Sequence, residues 1–199
     1  MAHQPSDSLV VWLLLSSLVA MPASANPDKI PPSLGLTMDL KVKNIELRVG
    51  ESLSCEVKIT NRGKKTVTLV APGDGSQHGW RTPITGGSVL SLESTKKHAT
   101  RPTPSKAPRC GNMNGLKKDE VFTLKPGQSK KLQAWTTLGP FEAAGKYRVI
   151  LLYENQPSLK WPRDDLGLAG PHDKEALQKV KTSSKCLVVS NEIVITAVK

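Results

Sequence analysis

Gly50-Glu-Ser-Leu-Ser-Cys-Glu-Val-Lys-Ile-Thr-Asn-Arg-Gly-Lys-Lys-Thr-Val-Thr-Leu-Val70 is the stretch whose reading decides the fold. Leu53, Cys55, Val57 and Ile59 alternate with Ser54, Glu56 and Lys58. That is the period of a half-buried strand. Asn61-Arg-Gly63 supplies a turn, and Val67 and Leu69 resume the alternation. The pattern is strand, turn, strand, and it predicts an antiparallel β domain.

The same alternation appears outward in both directions. Leu36, Met38, Leu40 and Val42 form one run, and Ile45, Leu47 and Val49 another, which together read as a split first strand. Pro72-Gly-Asp-Gly75 ends the strand expected over 66–71. Short extended pieces are expected over 80–84 and 88–92. Val121–Leu124 and Lys131–Trp135 are strands around a Lys125-Pro-Gly-Gln128 turn, where Pro and then Gly suit type II geometry. Ala144–Tyr153 is the strongest strand, apolar on both faces and therefore central. Asp173–Lys181 is a short helix, with Asp173 at its start and lysines toward its end. Lys185–Ser190 and Glu192–Val198 close the sheet. At least seven short strands and one late helix predict an all-β antiparallel sandwich with long loop insertions.

The N-terminus reads as an address. Leu9–Ala20 is an apolar run followed by Ala23-Ser-Ala25, the small-x-small form of a signal-peptidase site. Cleavage is expected after Ala25, so that residues 1–25 are a signal peptide, 26–35 a linker and 36–199 the domain. The run is shorter than the roughly 20 apolar residues that span a bilayer. Met1–Ser8 lacks the usual Lys or Arg. The expected location is secreted or periplasmic, with no transmembrane segment after cleavage.

Of 199 residues, 28 are Lys or Arg and 17 Asp or Glu. Only Asp7 falls in the signal, so the mature chain carries 28 basic and 16 acidic groups, a net of +12. Such a balance favours anionic partners. For an exported chain these are an anionic envelope polymer, lipid heads or an acidic protein rather than nucleic acid. A monomer is expected. Cys55, Cys110 and Cys186 lie 55 and 76 residues apart, which matches no zinc pattern. At most one disulfide can form, and the sequence leaves the three pairings open. Cys55 on its strand also suits a small buried apolar residue.

Gly50-x-x-Leu53-x-Cys55 resembles the second strand of immunoglobulin-like domains. Ala144-Gly145-x-Tyr147-x-Val149 resembles the sixth, which carries the tyrosine corner of that family. Val149 stands where the second disulfide cysteine would be, and no Trp lies on the strand at 66–71, so the antibody type is excluded. The chain is similar to exported bacterial immunoglobulin-like or fibronectin-like modules. Val57-x-Ile59-x-Asn61-x-Gly63 and Leu124-x-Pro-Gly127 are also similar to turns of bacterial proteinase-inhibitor sandwiches. The resemblance implies a structural role for Tyr147 and no catalytic residue.

Candidate chemistry is sparse. His78, His98, His172, Cys110 and Met113 do not make a copper motif, since no His stands beside Cys110-x-x-Met113. No Gly-x-Ser-x-Gly elbow is present, and Asp74 is the one carboxylate between Glu56 and Glu93, too few for calcium. No metal, cofactor or enzymatic activity is expected. Trp80 and Trp161 sit beside Arg81 and Arg163 and are candidate aromatic contacts, whereas Trp135 is core or rim. The segment 96–118 holds Lys96, Lys97, Arg101, Lys106, Arg109, Lys117 and Lys118 with no acid. It is the candidate binding loop, because loops on a rigid sandwich carry binding more often than strands do. The expected function is a non-enzymatic binding or adhesion module outside the cytoplasm. A sandwich-type proteinase inhibitor is the alternative, with an enzyme or metal-binding protein behind it.

Overall fold

A computed structural model describes residues 33–79, 81–92, 117–133, 137–157 and 174–199. Two sheets face each other across one core. The first contains β1 (Leu36–Val42), β3 (Leu53–Asn61) and β7 (Ser129–Leu132) in that order, with β8 (Thr137–Leu138) also on β3. The second is built on β9 (Gly145–Asn155), the longest strand. β5 (Ile84–Ser91) runs antiparallel along β9, while β10 (Cys186–Val189) and β11 (Ile193–Val198) pair with successive parts of it. β2 (Glu46–Arg48) completes that sheet by running parallel to β11. The split first strand thus serves both layers: β1 pairs with β3, and β2 crosses to the other sheet.

The inward positions follow the alternation. Met38, Leu40, Leu53, Val57, Ile59 and Leu132 meet Val149, Leu151, Tyr153, Val188 and Ile195 in a single buried cluster. Leucine, valine and isoleucine side chains each contribute roughly 1.5–3 kcal/mol when fully buried. Outer faces differ between the layers. On the first sheet Lys41 lies opposite Glu56, and Asp39 opposite Lys58, which faces Lys131 in turn. On the second sheet the outward row contains Leu90, Ile150, Leu152, Val189 and Val194.

Three expectations are corrected. β3 and β4 (Val67–Val70) do not form a hairpin, because β4 pairs with β6 (Val121–Leu124) in a separate two-stranded sheet. The turn between them hands the chain from one sheet to another. The strand that runs along β9 on the edge opposite β10 and β11 is β5, and not the 66–71 segment. The piece expected at 88–92 is part of a longer strand, Ile84–Ser91, in which Gly86-Gly87 hides the alternation, whereas 81–83 form a bend before it and only Ile84 of the piece expected at 80–84 is in the strand. In the split strand Leu47 is buried, but Ile45 and Val49 remain exposed at the sheet edge.

Asn61 explains the corner. Its side-chain amide donates to Lys65 O (2.8 Å) and Leu124 O (2.9 Å) and its Oδ1 accepts from Gly63 N (2.9 Å). Its backbone receives Gly127 N and donates to Gln128 O. Fully buried, it would be costly if left unpaired. Gly63 must be glycine here, because a Cβ would lie 2.6 Å from Leu34 O.

The helix α1 (Lys174–Lys181) buries Ala176 and Val180 against Val70 and Ile84, making a small second core at the end of the sandwich where β5 begins. Asp173, expected at the helix start, lies outside the described residues.

Candidate binding surface

The described part of the basic segment is its root. Glu120 lies at the end of a short helical turn, Lys118–Glu120, and its Oε2 accepts from Lys117 N (2.8 Å). Its carboxylate also faces Arg81, with Nη1–Oε1 and Nη2–Oε2 both 3.4 Å. Arg81 is 1% exposed. Its Nε donates to Thr82 O (3.2 Å). Gly73 makes room for the guanidinium, because a Cβ there would come within 2.5 Å of Nη1. A planar fork against a carboxylate is the geometry that suits arginine rather than lysine.

This root continues into a buried polar network. Thr82 Oγ1 donates to Asn155 Oδ1 (3.3 Å), and Asn155 Nδ2 donates to Ser183 Oγ and Ser184 O (2.8 Å each). Gln156 Nε2 donates to Glu154 Oε1. Three connections therefore meet around the end of β9 at Asn155: 71–83, 117–120 and 183–184. A satisfied network of this kind rigidifies the segments it joins.

The other root of the basic segment is Leu92, whose N–H donates to Lys146 O (2.9 Å). Arg81 precedes β5 and Leu92 follows it. The two roots thus stand at opposite ends of β5, a strand about 25 Å long.

Lys117 and Lys118 are the described members of the predicted cation set. Lys118 Nζ bonds Glu175 Oε2 at 2.7 Å, and Lys179 Nζ bonds Glu175 Oε1 at 2.7 Å. These two ammonium groups hold the Glu175 carboxyl down at about 2. Lys118 thus ties the segment's end to α1. Lys96, Lys97, Arg101, Lys106, Arg109, Trp80, Trp135 and Trp161 lie outside the described residues, as do Cys110, His98, Met113, His172 and the stretch 1–25 in which a signal peptide is expected.

Cys55 and Cys186 are both free thiols. Cys55 packs against the core, and burial pushes its thiol up to about 11. Cys186 is fully buried and is pushed up to about 12, mainly by burial. The open pairing between these two is therefore closed: they are separate core residues. Tyr147 donates its hydroxyl to Ala143 O (2.7 Å) and sets its ring edge-on to Phe141, with centroids 5.1 Å apart. His78 is exposed on the turn at 76–78. Among the described residues, no group of three or more His, Cys, Asp or Glu is placed to hold a metal. No described helix is long and apolar enough to cross a membrane.

Sequence reasoning missed Arg81 and the Glu120 bond that fixes Lys117. An arginine next to Thr-Pro in a Gly-rich region reads as exposed, and the one signal for it was Gly73, whose missing Cβ leaves space. No protein-family model matches the chain, and no curated protein is found to be similar to it.

Proposed function

We propose that this chain is an exported, non-enzymatic binding module of immunoglobulin-like type that contacts anionic envelope components through basic surfaces. The observation that carries the reading is the buried Arg81–Glu120 pair, which fixes the end of the basic 96–118 segment at Lys117. A buried arginine at the root of a cation-rich connection supports reading that connection as a contact surface, since loops on a rigid scaffold carry binding more often than strands do. The parallel pairing of β2 with β11 and the Tyr147–Ala143 bond support the immunoglobulin-like assignment. The leader expected at 1–25 supports export.

The test is co-sedimentation with an envelope fraction. The expected result is retention, reduced when Lys96, Lys97, Arg101, Lys106 and Arg109 are changed to Gln. Retention unaffected by those changes removes the segment from the contact.

A proteinase inhibitor is the second reading. One observation favours it: the two stretches that resemble inhibitor turns meet, through Asn61 and Leu124 O and through Gly127 N and Asn61 O. That pins the exposed Arg62–Thr66 turn from below. Micromolar protein that fails to inhibit a broad protease panel, and is cut in that turn instead, excludes it.

A further inference from the structure

The structure brings together a second basic surface that the linear sequence scatters. Three turns meet at the end of the first sheet: Ser33–Gly35, Arg62–Thr66 and Lys125–Gln128. Arg62 N donates to Gly35 O (2.8 Å), and Asn61 joins the other two turns through both its backbone and its side chain. Gly35 and Gly63 touch so closely that a Cβ on Gly35 would lie 2.7 Å from Gly63 Cα. The tip is thus fixed by hydrogen bonds and by contact between backbones.

Arg62, Lys64, Lys65 and Lys125 are all exposed on this tip, and none of the three turns contains Asp or Glu. Among the described residues these four cations form no ion pair, whereas Lys118, Lys131, Arg148 and Lys179 each have a carboxylate partner. Leu34 stands among them, 38% exposed. The four exposed cations sit on three turns that are bonded to one another at one end of the sheet, so a single anionic surface can meet them together. An exposed leucine beside them adds apolar contact, which a lipid interface accepts and a hydrated polymer does not.

We propose that the Arg62/Lys64/Lys65/Lys125 tip docks on an anionic lipid surface, with Leu34 entering the headgroup region. The proposal rests on the reading of an exported chain that meets the envelope, and it assigns the lipid contact to the tip rather than to the 96–118 segment. Each cation near an anionic bilayer raises partitioning by about fivefold, so four together are worth several hundredfold. The attraction decays within a Debye length of about 10 Å at 0.1 M salt.

The test is co-sedimentation of the full chain with vesicles of phosphatidylcholine alone and of equal parts phosphatidylcholine and phosphatidylglycerol. Binding is expected to the anionic vesicles only. Arg62→Gln/Lys64→Gln/Lys65→Gln/Lys125→Gln should lose it by about a hundredfold or more while keeping its thermal midpoint, since all four side chains are exposed. Leu34→Ser should weaken binding severalfold. The variant with Lys96, Lys97, Arg101, Lys106 and Arg109 changed to Gln should bind anionic vesicles like the parent. Equal binding by the tip variant and the parent overturns the proposal. So does parent binding to neutral vesicles, no parent binding to anionic ones, or capture by soluble polyphosphate without vesicle binding. Loss in the 96–118 variant alone moves the lipid contact to that segment and leaves the envelope-binding reading standing. Loss of envelope retention in every variant and in the parent removes the reading itself.

Discussion

The carboxamide of Asn191 is bonded to both backbone groups of Leu40, 151 residues away: Oδ1 accepts from Leu40 N at 2.7 Å, and Nδ2 donates to Leu40 O at 3.1 Å. Asn191 N also donates to Met38 O. The side chain thus acts as a ladder residue for the edge of β1. It does so where β10 gives way to β11, at a break where Ser190 Oγ accepts from Leu151 N (2.9 Å). The two layers are stitched together along this seam. Asn191→Ala should lower unfolding stability by about 2–4 kcal/mol in urea titration, since it strips partners from two backbone groups. Asn191→Asp should be no milder, because a carboxylate cannot donate to Leu40 O.

Asn61 is the second such position and lies deeper. Asn61→Ala removes three side-chain bonds at a fully buried site. A loss of about 3 kcal/mol or more is expected by denaturant unfolding. Amide exchange should rise at Gly63 and Gly127 ahead of the strands. A variant as stable as the parent would show that the corner does not need its central amide.

Tyr153 couples β9 to β4. Its hydroxyl donates to Val70 O at 2.7 Å and accepts from Val70 N at 3.3 Å. Burial holds the phenol well above its ordinary value. Tyr153→Phe should cost about 1–3 kcal/mol, measured by thermal or urea unfolding, because it leaves the Val70 groups unpaired. Val70→Ala, by contrast, removes apolar contact in the second core and keeps the backbone bonds.

The Arg81–Glu120 pair should behave as a buried ion pair with one half-open side. Glu120→Gln leaves the guanidinium short of its counter-charge and should destabilise by about 3 kcal/mol. Arg81→Met together with Glu120→Gln should recover part of that loss. Hydrogen exchange at 117–120 reports the loosening of the root directly. Equal exchange in parent and Glu120→Gln would mean that the pair does not hold the segment.

The thiols give a pH prediction. Cys55 and Cys186 are raised from 9.0 to about 11 and about 12. A raised acid binds its proton more tightly in the folded chain than in the unfolded one. Its contribution to stability is therefore complete below about pH 9 and is lost as pH rises through about 11 to 12. Stability should fall across that alkaline window, and Cys186→Ala should flatten the fall. At pH 8 both thiols should react slowly with an aromatic disulfide reagent and quickly after unfolding. Fast reaction of the native chain with two equivalents would contradict their burial.

Much of the fold was legible because its strands are half-buried, and a half-buried strand writes its period into the sequence. Leu53 to Ile59 and Leu36 to Leu40 show this, while β9 was legible instead as an unbroken apolar run from Val149 to Tyr153. β5 was not legible because Gly86 and Gly87 have no side chain to keep the period. The β4–β6 pairing was hidden because strand partners are set by contacts far apart in sequence, here between Val67 and Leu124. Charge counting located the basic 96–118 segment, but it missed the tip, since Arg62, Lys64 and Lys65 read as an ordinary turn and Lys125 lies sixty residues further on. Arg81 and Asn191 were invisible for a related reason: a polar residue looks solvated until its distant partner is known.

The central claim is that this sandwich is a scaffold for electrostatic contact with an anionic envelope. The most direct measurement is retention of the full chain on an envelope fraction as a function of salt. Retention should fall steeply as ionic strength rises past the point where the Debye length shrinks below about 10 Å. Retention that stays constant from low to high salt would contradict the claim.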